Sequence, residues 1–143
     1  MANSIQYAKI VSVPSEKVDT NELAGRVRVA FAEYEAATEQ STITMFTIPN
    51  GARILSGSVS YDALNSSTTI SVGHGAYTNS AGTAVSADVD EYKAAAASTA
   101  ADTIALGRNS VVDADQDGIP VTVTLAGADG AGTIQLQLLY VKD

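Results

Sequence analysis

The stretch that decides the fold is VTVTLAGADGAGTIQLQLLYV, residues 121–141. Apolar and polar residues alternate in both of its halves, and a period of two is typical of a β-strand with one buried face. Between the halves lies a glycine-rich segment, residues 127–132, of the kind that lets a chain turn back on itself. We therefore expect an antiparallel hairpin whose Ile134, Leu136 and Leu138 face the protein interior.

Several segments upstream of this hairpin alternate in the same way and predict further strands. They cover residues 26–34, 42–48, 53–61 and 68–73, with one or two brief strands expected over 104–112. In the first of them the pattern predicts a half-buried strand with Val27, Val29 and Phe31 on the buried face. Arg26 and Arg28 are then expected on the exposed face.

Two segments do not follow the strand pattern. Residues 88–97 are expected to form the one short helix, because acidic residues at their start favour the helix dipole and alanine has the best helix propensity. Residues 1–24 are expected to form an extended arm with a short strand ended by Pro14. The sequence thus predicts an all-β, antiparallel β-sandwich (jelly-roll-like) over residues 25–143, with one short helix and an extended N-terminal arm.

Composition excludes several classes of function. The 143-residue chain carries 16 Asp plus Glu against 8 Lys plus Arg, a net charge of -8, which disfavours a nucleic-acid partner. It has no cysteine and one histidine, His74, which we interpret as a loop residue and not as a catalytic base. No secretory leader and no membrane span are predicted. We therefore expect a protein that is not an enzyme and uses no cofactor.

One acidic stretch, DADQDG at residues 113–118, is similar to the start of a calcium-binding loop. Asp113, Asp115 and Asp117 alternate, so three carboxylates could converge on one cation. The twelfth position of such a loop should be an acid that binds through both oxygens, and here it is Thr124. We favour a solvated acidic turn, with calcium binding as the alternative.

Other segments resemble those of small structural proteins of tailed bacteriophages. The resemblance rests on GRVRV at 25–29, YEAA at 34–37, TITM at 42–45, IPNGARIL at 48–55, TISVG at 69–73, DVDEY at 88–92 and the segment 121–141. It implies a head decoration or cement protein, a β-sandwich that is often trimeric and binds outside the major capsid protein. The serine- and glycine-rich stretch 78–87 and the DADQDG stretch depart from that pattern.

The resemblance implies a location on the capsid surface of the virion after synthesis in the host cytoplasm. We expect the arm to become ordered on the major capsid protein or on an adjacent subunit, with a homotrimer favoured. The candidate partner-binding residues are Ile5, Tyr7, Ile10, Val13, Arg26 and Arg28. Two other classes of function remain open. One is a carbohydrate- or calcium-binding β-sandwich module, and the other is a small enzyme.

Overall fold

The computed structural model describes residues 4–18, 23, 25–107 and 110–142. One helix and ten strands follow one another along these residues. They are α1 (Ile5–Val11), β1 (Val27–Glu39), β2 (Thr42–Ile48), β3 (Arg53–Tyr61), β4 (Thr69–His74), β5 (Tyr77–Thr78), β6 (Ala84–Val85), β7 (Asp88–Ala97), β8 (Asp102–Leu106), β9 (Ile119–Ala126) and β10 (Gly130–Val141).

Eight of the strands form two four-stranded sheets, in the orders β1-β10-β3-β8 and β2-β9-β4-β7. Every pairing within them is antiparallel. The remaining two strands, β5 and β6, pair with each other in the connection between β4 and β7. The expected antiparallel β-sandwich is therefore confirmed, and the strand order is that of a jelly roll.

Most connections between consecutive strands cross from one sheet to the other. The 121–141 segment shows this, because β9 lies in one sheet and β10 in the other, and the two do not pair. The expected strands are therefore present, but the expected hairpin between them is wrong. Each strand has an apolar face, and crossing to the opposite sheet lets both faces bury against each other in one interior.

The core lies between the two sheets. β10 contributes Ile134, Leu136 and Leu138, which are fully buried as the alternating pattern predicts. The facing sheet contributes the fully buried Val72 and Val123, among others. Interdigitated branched side chains of this kind are the main source of stability in a sandwich.

β1 has the opposite orientation to the one expected from its own sequence. It pairs with β10 so that Ala32 lies opposite Leu136 and Phe31 opposite Gln137. Directly opposite residues share a face, so the alanine row of β1 faces the core and the larger apolar row faces outward. The prediction that Val27, Val29 and Phe31 are buried is therefore wrong, because the burial of the leucines of β10 determines the register.

Both expectations for the two segments outside the strand pattern require correction. Residues 88–97 form strand β7, which pairs with β4, so the helix predicted there is wrong. Pairing with β4 outweighs alanine's weak preference for helix. The short helix is instead α1, in the segment expected to be extended. Its first turn is capped by Ser4, whose Oγ accepts a 3.1 Å hydrogen bond from the Tyr7 amide.

The first residues of β7 pass very close to β4 at Gly73, where an added Cβ would lie 2.0 Å from the Asp88 carbonyl oxygen.

Candidate functional site: two exposed apolar surfaces

The first exposed apolar surface belongs to α1. Tyr7, Ile10 and Val11 share one side of this helix by their three- and four-residue spacing, and all three are exposed. Val13, just beyond the helix, is 99% exposed. No residue of α1 is buried, and a helix of 7 residues is too short to be stable in water by its own hydrogen bonds. This surface, which we call the arm face, therefore has the character of a docking element.

Ser12 determines the path of the chain after the helix. Its hydroxyl donates to the carbonyl oxygen of Lys9 at 2.7 Å, and its Oγ accepts from the amide of Glu16 at 3.1 Å. The amide of Glu16 also donates to the carbonyl of Lys9, at 2.9 Å. These bonds form a compact turn that does not involve the sandwich. These bonds hold the arm face on a locally ordered segment.

The second exposed apolar surface lies on the outward side of β1. Val27, Val29 and Phe31 are 59%, 58% and 57% exposed, and they form a continuous row along the strand. The same row continues with Glu33 and Glu35, whose carboxylates accept hydrogen bonds of 2.6 Å from side chains of β10. We call the three apolar residues the β1 row. Isolated exposed apolar residues are common, but a contiguous row on one strand marks an interaction surface.

The two candidate arginines flank the β1 row. Arg28 lies within β1 opposite Tyr140, and Arg26 immediately precedes the strand; both are exposed. By the alternation of the strand, both arginines belong to the row that faces inward. They are nevertheless exposed, because they lie at the end of the sandwich. Both arginines are therefore close to the β1 row along the chain, but their side chains lie on the opposite face of the strand. The other candidates, Ile5, Tyr7, Ile10 and Val13, lie in the arm.

The acidic stretch forms a turn in which two of its three carboxylates, those of Asp113 and Asp115, accept hydrogen bonds. Asp113 accepts hydrogen bonds from the hydroxyl and the amide of Ser80. Asp115 accepts a 2.9 Å bond from the amide of Asp117. Gly118 closes the turn with a φ of +77°, a conformation that favours glycine. Within the described residues, no three acidic or histidine side chains are grouped so that they could hold a metal ion.

His74 ends β4 and is buried, so its interpretation as a loop residue is wrong. Its Nδ1 donates to the carbonyl oxygen of Gly75 at 2.9 Å, since a carbonyl can only accept. The ring packs edge-on against Tyr77 and Tyr92, at centroid distances of 5.2 and 6.4 Å. These contacts assign His74 a packing role at the end of the sandwich.

The outward side of the sheet that contains β1 also has a shallow depression of about 660 Å³. Asp62, Asp102 and several hydroxyl and amide side chains line it, and its one aromatic lining residue, Tyr61, is buried. Burial, and secondarily the charge of Asp102, raises the pKa of Tyr61. A sugar-binding groove normally offers an exposed aromatic ring for stacking, and this depression does not.

In the described part of the chain, no helix has the length and apolar character needed to cross a membrane.

The fold is shared with chains from the capsids of bacteriophages. A chain of the Ralstonia phage GP4 capsid superposes with a TM-score of 0.66 at 20% identity, covering 83% of this chain and 86% of that chain. A chain of the cyanophage Pam1 capsid asymmetric unit gives 0.62 at 17% identity, with 83% and 86% covered. A chain of the acid-stable capsid of Helicobacter pylori bacteriophage KHP30 gives 0.58 at 16% identity, with 81% and 87% covered.

No protein-family model and no curated protein matches the sequence. At these identities the three superpositions establish a common fold that spans most of both chains. The resemblance to phage structural proteins is therefore matched at the level of the fold.

The sequence named four apolar residues of the arm as candidate contacts, and it wrongly placed Val27, Val29 and Phe31 in the core, whereas the structure exposes them. Two signals could have located α1: Ser4 is a preferred N-cap residue, and the apolar residues after it recur at helical spacing. The outward orientation of the β1 row had no comparable signal. It follows from the pairing with β10, which a local pattern does not contain.

Proposed function

We propose that this chain is a structural protein of a tailed-phage virion, a head decoration or cement protein that binds the outside of the major capsid protein lattice. The observation that carries the proposal is the likeness to chains of three phage capsids, each covered over more than four fifths of its length. A likeness over most of both chains means that the sandwich corresponds to nearly a whole capsid chain in each case.

The surface of the chain supports the same proposal. A decoration protein needs a stable scaffold and adhesive surface, and it needs no reaction chemistry. The arm face and the β1 row supply exposed apolar surface, and the sandwich core supplies the scaffold. A weak contact repeated over a lattice gives strong collective binding, so small surfaces of this kind are sufficient.

The proposal assigns capsid contact to the arm, residues 1–24, and places the protein on the capsid surface after synthesis in the host cytoplasm. Residues Ile5, Tyr7, Ile10 and Val13 contact the major capsid protein or an adjacent subunit, and Arg26 and Arg28 contact acidic groups beside them. The chain acts as a homo-oligomer, with a trimer favoured. Ordering a short helix on a partner surface offsets its marginal stability in water.

The test uses phage particles produced without this chain, to which the purified protein is added back. We expect binding of the full-length chain to saturate in co-sedimentation, and cryo-electron microscopy to find it at symmetry-related positions on the capsid. A chain lacking residues 1–24 should lose occupancy while keeping its thermal unfolding temperature, because no residue of α1 is buried.

A full-length variant tests whether binding is lost because specific side-chain contacts are removed or because the whole arm is missing. Tyr7→Ser with Ile10→Ser removes most of the arm face, and Ala105→Ser, at an exposed position of β8 outside the arm, is the control. Occupancy should fall at least about tenfold for the double variant only, which corresponds to about 1.4 kcal/mol. Absence of the chain from virions, together with no binding of the full-length chain, would overturn the proposed function. Normal binding by the truncated chain would overturn the role of the arm alone.

A further inference from the structure

β1 is an edge strand with an open hydrogen-bonding side. Its one neighbour in the sheet is β10, and the pairing is regular from Val27 to Ala37. On the side away from β10, residues 27–37 make no backbone hydrogen bond to any part of the chain that the structure describes. A row of unpaired amide and carbonyl groups is a template for another strand.

The other three edges of the two four-stranded sheets carry features that oppose such pairing. β8 is only 5 residues long. β2 has a register shift between Thr44 and Phe46. β7 begins with acidic residues and has register shifts in its pairing with β4. Short length, irregularity and charge are the ordinary means by which proteins protect sheet edges. β1 combines length, regularity and the exposed β1 row, so it is the edge suited to pairing.

We propose that β1 pairs in antiparallel orientation with β1 of a second copy of this chain, across a two-fold axis at Val29. This contact between copies goes beyond the proposed function and does not depend on it; in a trimer it would join subunits of two different trimers. In this register Val29 lies opposite Val29 of the second copy, and Val27 lies opposite Phe31 of the second copy. Directly opposite side chains share a face, so the two β1 rows merge into one apolar surface of six side chains.

The distribution of charge along β1 favours a second copy in this orientation. Arg26 and Arg28 are at the start of the strand, and Glu33 and Glu35 follow the β1 row. Antiparallel pairing about Val29 places Glu33 opposite Gly25 of the second copy, so the acidic end of each strand runs along the basic end of the other, with the arginine and glutamate side chains on opposite faces. Parallel pairing would instead place like charges side by side. Opposite charges at both ends therefore select the antiparallel, self-complementary arrangement.

The sharpest test is a single cysteine at the two-fold axis. The chain has no cysteine, so Val29→Cys introduces one thiol into a clean background. Opposite residues of antiparallel strands lie within the Cα separation that a disulfide spans. We expect mild oxidation to convert most of the full-length Val29→Cys chain into a covalent pair. The matched control is Ala105→Cys, an equally outward-facing residue on β8 at the other edge of the same sheet, which should remain largely unlinked.

A second measurement uses light scattering on the full-length chain in the absence of capsids. Val29→Lys places two like charges at the axis and should lower the average mass relative to the wild type, with at least a tenfold weaker association. Ala105→Lys should leave the mass unchanged. Thermal unfolding confirms that each variant is folded, as expected because both positions are exposed.

Two outcomes would overturn the pairing: Val29→Cys forming pairs no faster than Ala105→Cys, or Val29→Lys keeping the mass of the wild type. Neither outcome bears on capsid binding, which is measured by add-back to particles. Conversely, a chain that pairs in solution but is never found on a virion would sustain this inference and remove the proposed function.

Discussion

The hydroxyl of Tyr34 donates a 2.7 Å hydrogen bond to a carboxylate oxygen of Glu39, across the irregularity at the end of β1. The other carboxylate oxygen accepts a 2.9 Å bond from the hydroxyl of Ser41. The bond from Tyr34, followed by the bond from Ser41, lowers the pKa of Glu39 below its ordinary value of 4.5. The same contact raises the pKa of Tyr34 above 10.0. One pair thus links β1 to the turn that leads into β2.

This pair predicts a specific loss of stability in acid. Because the folded-state pKa of Glu39 is lowered, its contribution is present above the unfolded value and is lost as pH falls below about 4.5. Tyr34 contributes below pH 10 and loses its contribution as pH rises beyond that value. Tyr34→Phe should therefore flatten the acid dependence of the free energy of unfolding, measured by urea titration between about pH 3 and 7. Tyr7→Phe, on the exposed arm face, is the control; equal acid dependence of Tyr34→Phe and the wild type would contradict the prediction.

The close crossing at Gly73 predicts a large penalty for one methyl group. Gly73→Ala places a Cβ within 2.0 Å of the Asp88 carbonyl oxygen, so backbone must move. We expect a loss of about 1–3 kcal/mol in the free energy of unfolding. Gly107→Ala is the matched control, because its Cβ would meet its nearest atom, the carbonyl oxygen of Tyr92, at 4.0 Å. Similar losses at the two positions would show that crowding at Gly73 is not the cause.

The centre of the core predicts the cost of a cavity. Leu136 is fully buried, opposite Ala32 on one side and Val59 on the other. Leu136→Ala should lower the free energy of unfolding by about 2–5 kcal/mol, measured by chemical denaturation. The adjacent exposed residue gives the control, since Gln137→Ala should change stability by less than about 0.5 kcal/mol. A small effect at Leu136 would mean that the two sheets close over the lost volume.

The acidic turn predicts no response to calcium. Asp113 is engaged by Ser80, and Asp115 by the amide of Asp117, so the carboxylates stabilise the turn itself. We expect millimolar calcium to leave the thermal unfolding temperature unchanged, with magnesium as the control cation. A site filled at about 100 times its Kd would add about 2.7 kcal/mol of stability, so a calcium-specific rise would favour the alternative of a calcium-binding module.

Alternation predicted the strands well because it is a local consequence of burying one face. Every one of the five upstream strand segments and both halves of 121–141 contain a strand. Pairing was less predictable. The glycine-rich segment 127–132 makes β9 and β10 look like a hairpin, yet each strand has an apolar face that is buried only against the opposite sheet. A turn-forming link permits a hairpin but does not require one.

Two errors show where local preference is outweighed. The alanines of β7 favour helix by propensity, but the segment pairs with β4 and buries Tyr92 in the core, whereas so short a helix would be marginal by itself. In β1 the larger apolar residues were expected inside, and the smaller row, represented by Ala32, is inside instead. The candidate arm residues were identified by their apolar character, although their helical conformation was not.

The pairing of β1 with β10 joins the first strand of the sandwich to the last. During translation, an emerging polypeptide cannot complete this sheet until Val141 has left the ribosome tunnel, since β10 is also the neighbour of β3. Contacts between such distant parts of a sequence slow folding, because a long loop must close before they form. Until then β1 and β3 lack the strand that pairs with both, and unpaired strand edges with exposed apolar faces are prone to association.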